Sequence, residues 1–484
     1  MRVLLVNSNR CRDLVAAPPI GLAYVATAAA DAGHDVRVTD LLFGTNPDRD
    51  LARALREFDP DVVGLSVRNI DNVVRQKLES YVGGVESLIR TIRSVSRARI
   101  IVGGPAISIL ADRALEIFDA DFAAVGEGET IMPALLDSLA DGANGEGIDG
   151  LFCRHDSGVA RRPPSRLPRF GPSGLERWID WSLYSRRGAT WPIQTRRGCP
   201  LGCSYCTYPA IEGGAVRFRV PEEVADEIAH VAKVIAPKTF EFVDSTFTVP
   251  ESHAMNICEE IILRDLRVTL SAMGGNPAGI SARLLGTMKR AGFNSLMVSP
   301  ESASETMLRS YRKGFGVAEV ANAAEAVRAS GLASAWFFML GGPGETMETV
   351  EETMRFIERH LRWRNCLVIV MTGVRVLPGS ELARTALESG YLAPGIDLAQ
   401  PVFYVSPGLD EARVLQRINQ AIALNPSIVH SCEEGQSSFQ TTIDRLLHSA
   451  GVAPPFWRFV PRYLRIPPLP YLRAHYPPVG LPAS

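Results

Sequence analysis

From Met1 to about residue 140, short apolar runs alternate with longer amphipathic ones. Arg2–Val6 (RVLLV), Asp35–Thr39 (DVRVT), Val62–Ser66 (VVGLS), Arg99–Gly104 (RIIVGG) and Phe122–Glu129 (FAAVGEGE) read as strands with their exits. Between them, Ile20–Gly33 reads as a helix ended by Gly33, and Gly83–Val95 as another. Strands alternating with helices predict a parallel, doubly wound α/β sheet. Such sheets bind ligands beyond the carboxyl ends of their strands. The segments leaving those ends are Asn7–Arg10 (NSNR), Ser66–Asn72 (SVRNIDN), Gly103–Ala106 (GGPA) and Gly126–Glu129 (GEGE). They are rich in glycine and small polar residues, so backbone can approach a flat or phosphate-bearing ligand. No G-x-G-x-x-G follows the first strand, which argues against a nicotinamide domain.

A second alternating pattern runs from about Trp191 to Ala393. Strands are expected to start near Ile193, Thr239, Val268, Ser295, Ala335 and Leu367, with helices at Pro221–Ile235, Ile280–Gly292, Val317–Gly331 and Glu345–Leu361. Six such units predict a partial (β/α)6 barrel with its chemistry at the carboxyl ends of the strands. Residues 141–190 read as a linker, because Asp141–Gly147 and Arg161–Gly174 are rich in Gly, Pro and Arg and lack periodicity. Residues 394–484 read as a small, mainly helical region with helices at Leu409–Asn425 and Thr441–Gly451. Its tail, Pro454–Pro482, reads as a peripheral wrap, and its prolines forbid a long amphipathic helix.

The chain of 484 residues has a formal net charge of −2, so no global basic field suggests a nucleic-acid partner. No run approaches the roughly 20 apolar residues of a spanning helix. The N-terminus, MRVLLVNSNRC, shows no signal peptide. Eight cysteines are too sparse for a disulfide scaffold. The expected setting is a reducing cytoplasm, where grouped cysteines bind metal or act as redox groups.

Three of the eight, Cys199, Cys203 and Cys206, lie in one short stretch, TRRGCPLGCSYCTYP. Structural zinc usually takes two cysteine pairs, and no second pair exists here. Three thiolates on a tight loop, with Gly198 and Gly202 beside them, suit an iron–sulfur cluster with one open iron. Structural zinc stays as the alternative. Cys11, Cys153, Cys258, Cys366 and Cys432 are scattered and read as small buried hydrophobes.

The C-x3-C-x-aromatic-C pattern of Cys199, Cys203, Tyr205 and Cys206 resembles the radical S-adenosylmethionine (SAM) superfamily. In that family three cysteines hold a [4Fe–4S] cluster, SAM binds the open iron, and one electron cleaves it to a 5′-deoxyadenosyl radical. The resemblance places Tyr205 near the adenine. It gives Asp244, at the second strand exit, a place at the edge that holds the SAM amino group. It gives Glu301 and Ser302, in VSPESASETMLRSYRKG, a role at SAM's polar parts. Leu340, in WFFMLGGPGET, and Val376, in VRVLPGSELA, would supply apolar contact or structure around the cofactor.

The order of parts upstream resembles the cobalamin-binding domain that precedes the barrel in one large branch. Pro18–Asp40, Asp59–Ser66, Val102–Ala106 and Val125–Glu129 carry that likeness. It implies cobalamin contacts from Ser66, Arg68, Asn69, Gly103, Gly104, Gly126 and Glu127. Domains that ligate cobalt through histidine carry D-x-H-x-x-G after the first strand. Here that place reads NSNRCRD, Asn7–Asp13, and His34 lies in a turn on the other edge. A bound cobalamin is therefore expected without a histidine ligand. Arg68 either sits under the corrin as a fixed cation or pairs with Asp71 on the surface.

These resemblances imply a cobalamin-dependent radical SAM enzyme whose first expected reaction is methyl transfer to a poorly reactive carbon of a small molecule or peptide. A cyclase or ring-rearranging enzyme with the same cofactors, and a cofactor-binding or electron-transfer protein, are the alternatives. A low-potential electron donor is the expected partner. No catalytic acid or base stands out among the Asp, Glu and Tyr residues that could reach the barrel mouth.

Overall fold

The computed structural model describes residues 1–11, 16–155, 158–430 and 438–465. The first sheet contains β1 (Arg2–Asn7), β2 (Asp35–Asp40), β3 (Val62–Ser66), β4 (Arg99–Gly103), β5 (Phe122–Ala124), β6 (Leu151–His155) and β7 (Gly158–Ala160), in spatial order β2-β1-β3-β4-β5-β6-β7. The first five strands are parallel. Helices cover both faces, so the strands read as continuous apolar runs. Leu4, Val6, Val63 and Leu65 face one core, and Val3, Leu5 and Val62 face the other. The strand order reverses between β1 and β3, which opens a crevice at their carboxyl ends.

Past residue 140 the first sheet continues, since β6 and β7 add an antiparallel hairpin to its edge. Leu151, Phe152 and Cys153 are buried there. Strands this short leave no period to see, which is why the segment reads as linker.

The second sheet contains β8 (Trp191–Ile193), β9 (Phe240–Phe242), β10 (Leu270–Gly275), β11 (Phe293–Glu301), β12 (Ala333–Leu340), β13 (Cys366–Thr372) and β14 (Ile428–His430), all parallel and in chain order. The seventh strand, β14, comes from the region expected to be helical. It is three residues long, and Ile428 and Val429 are buried.

The C-terminal segment up to residue 465 is not a peripheral wrap. Val460, Tyr463 and Leu464 pack against Ala335, Leu367, Ile369 and Val429, on the strand faces opposite the outer helices. A partial barrel has an interior that side chains must fill, and this short helix fills part of it. Cys432, and the part of the tail after Arg465, lie outside the described residues.

The two sheets meet through buried contacts. Arg375 Nε donates to Asp71 Oδ2 at 2.8 Å, with both side chains almost fully buried. Gln76 donates to Thr372, and Arg75 pairs with Glu411. Arg197 pairs with Glu129, and Arg217 with Glu127. The helix Tyr208–Glu212, which follows the cysteine loop, packs on Pro105–Leu110, the helix that leaves β4.

Candidate active site

The cysteine loop leaves β8 over a carboxylate brace. Asp244 accepts from the Thr195 amide and hydroxyl, each at 2.7 Å, and from the Arg196 amide at 3.1 Å. Burial pushes its carboxyl up to about 6, partly offset by those donors. His253 Nε2 lies 3.1 Å from the same Thr195 hydroxyl. The Arg196 guanidinium donates to the carbonyls of Thr246 and Gly198 at 3.0 and 2.9 Å. Gly198 has φ +88°, and a Cβ there would fall 2.0 Å from the Ala215 carbonyl oxygen. The loop therefore enters its turn through a position only glycine fits.

Cys199 is buried, Cys203 and Cys206 are half-buried, and none is in a disulfide. Burial, with smaller contributions from negative charge on Cys203 and Cys199, pushes the Cys206 thiol up to about 11. A cationic iron centre would reverse that balance, so the donor set fits a cluster. Among the described residues, no three His, Cys, Asp or Glu converge as a single metal ion would need.

Tyr205 is held beside this loop. Its hydroxyl donates to Glu301 Oε1 at 3.1 Å, and Lys313 Nζ donates to the Tyr205 oxygen at 3.1 Å. Lys313 also lies 3.7 Å from Glu301, with both side chains largely buried. Burial raises the Glu301 carboxyl, and Lys313 pulls it back. Glu301 takes φ +67° at the end of β11. Such strain in a non-glycine residue persists only where its surroundings fix it. Lys313 carries the buried positive charge here, although in sequence it is one of several basic residues in RSYRKG. Val376 shares an apolar cluster with Tyr205, Tyr311 and Met339.

Three expected SAM contacts are committed elsewhere. The Asp244 carboxylate is used up by the loop brace. The Ser302 hydroxyl lies 3.0 Å from that of Thr353 and accepts from the Ser304 amide. Leu340 is fully buried in the core between strands and helices.

At the crevice of the first sheet, Arg68 and Asn69 are exposed and Ser66 is half-buried. The expected Arg68–Asp71 pair does not form, because Asp71 turns inward to Arg375. Gly104 has φ +101°, and a Cβ would lie 2.7 Å from the Val67 carbonyl oxygen. The β3 and β4 exits thus approach backbone to backbone, and Gly103 lies beside them. Asn9 caps the amide of Cys11 within its own turn. These residues fit a corrin resting on open polar loops without a histidine below it.

The β5 exit is different. Glu127 accepts from Arg217 at 2.5 Å and from the Leu167 amide at 2.8 Å. A Cβ on Gly126 would meet Pro164 at 2.9 Å. Glu127 is buried under the linker and the barrel, whereas Gly126 is half-buried.

Tyr208 marks the space between the two edges. It is 40% exposed, yet burial pushes its hydroxyl up to about 12, and the Arg68 charge acts in the opposite direction. Tyr208 therefore lies close enough to the β3 exit for the Arg68 charge to act on it.

Comparison with known proteins agrees with this geometry. The Radical SAM superfamily profile matches residues 193–357, and the B12 binding domain profile matches residues 15–136. An uncharacterised methyltransferase of Pyrococcus horikoshii is 27% identical over 71% of this chain and 73% of its own. Tryptophan 2-C-methyltransferase of Streptomyces laurentii is 24% identical over 80% of this chain and 74% of its own. The fold matches the radical SAM methyltransferase TsrM of Kitasatospora setae, solved with cobalamin and a [4Fe–4S] cluster, with TM-score 0.82 at 23% identity, over 96% of this chain and 99% of that one. With both domains present in this order, the chain belongs to the cobalamin-binding radical SAM enzymes.

Proposed function

We propose that this chain moves a methyl group from SAM, by way of cobalamin, to a poorly reactive carbon of a small-molecule or peptide substrate. The observation that carries this reading is the packing of the helix after the cysteine loop onto the helix that leaves β4. It brings together the segments that leave the carboxyl ends of β8 and β4, with Tyr208 near enough to Arg68 to feel its charge. When bound, cobalamin supplies a methyl carrier, and SAM on the cluster supplies the methyl group and a one-electron route.

The chain's own residues then bind and orient. Cys199, Cys203 and Cys206 hold the cluster. Tyr205 and Val376 form the apolar wall beside it. Lys313 offers a buried cation to a carboxylate and Glu301 an acceptor to an ammonium, the two polar ends of SAM's amino-acid part. Ser66, Arg68, Asn69, Gly103 and Gly104 would hold the cobalamin at the strand exits of the first sheet. The buried Asp71–Arg375 pair fixes the β3 exit to the barrel. A low-potential donor would have to supply the electron for the one-electron route.

The test is incubation of the reconstituted protein with methyl-deuterated SAM, a reductant and extract from a deletion strain. Label in a new product, with S-adenosylhomocysteine released, is the expected result. Release of 5′-deoxyadenosine without label transfer would instead indicate a cyclase.

A further inference from the structure

Among the described residues, the barrel interior is filled along one half and only at its floor along the other. Alternation along each strand assigns its faces. Phe240, Phe242, Leu270 and Ala272 pack beneath the outer helices, so Glu241, Ser271 and Met273 face inward. Along β11 to β14 the interior is occupied by the C-terminal helix, where Phe337 and Met297 meet Val460 and Tyr463. Along β9 and β10 the described C-terminal residues reach only the floor, where the Thr239 hydroxyl donates to the Pro454 carbonyl at 2.6 Å. Met273 is 39% exposed although its strand lies between two others, and Glu241 is only half-buried.

Glu241 is one of several carboxylates of the barrel held by neutral donors, as Asp244 and Glu345 are. Its oxygens accept from the Thr190 hydroxyl at 2.7 Å and the Ser271 hydroxyl at 3.0 Å. It has no ion-pair partner among the described residues. Burial raises its carboxyl, and no cation offsets the shift. An ionised carboxylate in such surroundings is costly until a positive group reaches it. Both oxygens nevertheless receive donors, which favours the ionised form. Beside it, the thioether of Met273 can adapt to a ring or chain of varied shape.

We propose that this open half of the lumen is a substrate subsite for an apolar molecule bearing an ammonium group, with the ammonium on Glu241 and the apolar body against Met273. The inference rests on the methyl-transfer reading and adds a substrate class to it. Asp244, which braces the cysteine loop, is three residues further along the same chain. At the rise of an extended strand, a molecule anchored at Glu241 reaches the cluster edge over about 10 Å.

The test uses cofactor-loaded protein and a matched pair of probes, 2-phenylethylamine and 2-phenylethanol, in equilibrium dialysis at neutral pH. The amine is expected to bind at least about tenfold more tightly than the alcohol, and Glu241→Gln to abolish that preference while leaving the alcohol unchanged. Equal binding, no binding of either probe, or an amine preference that survives Glu241→Gln would overturn the proposal. The wild-type comparison stands even if the variant does not fold. Release of S-adenosylhomocysteine from SAM, measured on the same wild-type preparation, reports the methyl-transfer reading separately.

Discussion

At Glu301 a carboxylate, a phenol and an ammonium are buried together beside the cysteine loop, so each depends on the others. Lys313→Met should leave Glu301 without its cation and weaken SAM binding about tenfold or more. Cluster content, read from iron and visible absorbance, should stay at the wild-type level. Each of Cys199→Ala, Cys203→Ala and Cys206→Ala should remove the cluster, whereas Cys258→Ala, in the outer core, should retain it. His253 gives a pH signature, because burial lowers its imidazole to about 4. Below the ordinary value near 6.5, the unfolded chain takes a proton that the folded chain refuses, so stability falls from about pH 6.5 to pH 4. Relative to His253→Gln, the wild type should lose about 2 kcal/mol between pH 7 and pH 5. The gap between their thermal midpoints at the two pH values checks this. The buried carboxyl of Asp244 titrates in the opposite sense and is common to both proteins, so it cancels in the comparison.

Among the elements, the joints between the sheets carry the sharpest expectation. Asp71→Ala would leave the Arg375 guanidinium buried and unpaired, at a cost of about 3–5 kcal/mol. It would also release the Val73 amide, which donates to Asp71 at 2.9 Å. Thermal unfolding should show the loss, and cobalamin retention through gel filtration should drop with it. This pair spans 304 residues, a separation at which sequence offers no sign of contact. The eleven strands of the two alternating patterns in residues 2–124 and 191–372 were legible, because they alternate with helices and leave a rhythm. The hairpin at Leu151–Ala160 and the strand Ile428–His430 were not, because three to five residues set no period. The same limit hid the barrel-filling helix near Val460, whose prolines and arginines look like a surface tail. At the site, cysteine spacing identified the cluster loop directly. The roles of Asp244, Ser302 and Glu127 could not be read, since whether a carboxylate or hydroxyl is free depends on partners far away in the chain.

For the whole molecule, the proposed function has the two cofactors face each other, the cluster on the loop of Cys199–Cys206 and the cobalamin on the Ser66–Asn69 and Gly103–Gly104 exits, because the helices that follow these segments pack together. No described helix is long and apolar enough to cross a membrane. Arg68 is exposed at the β3 exit and has no ion-pair partner among the described residues, and a guanidinium under the corrin would disfavour a lower axial ligand. Cob(II)alamin bound to the protein should therefore show no nitrogen hyperfine coupling from a lower histidine, and Arg68→Ala should change its coordination or potential. The most direct measurement is electron paramagnetic resonance of protein loaded with both cofactors, with cob(II)alamin and the singly reduced cluster present together. Facing sites predict spin–spin splitting or accelerated relaxation absent from protein loaded with either cofactor alone. A spectrum equal to the sum of the two separate signals would contradict the account.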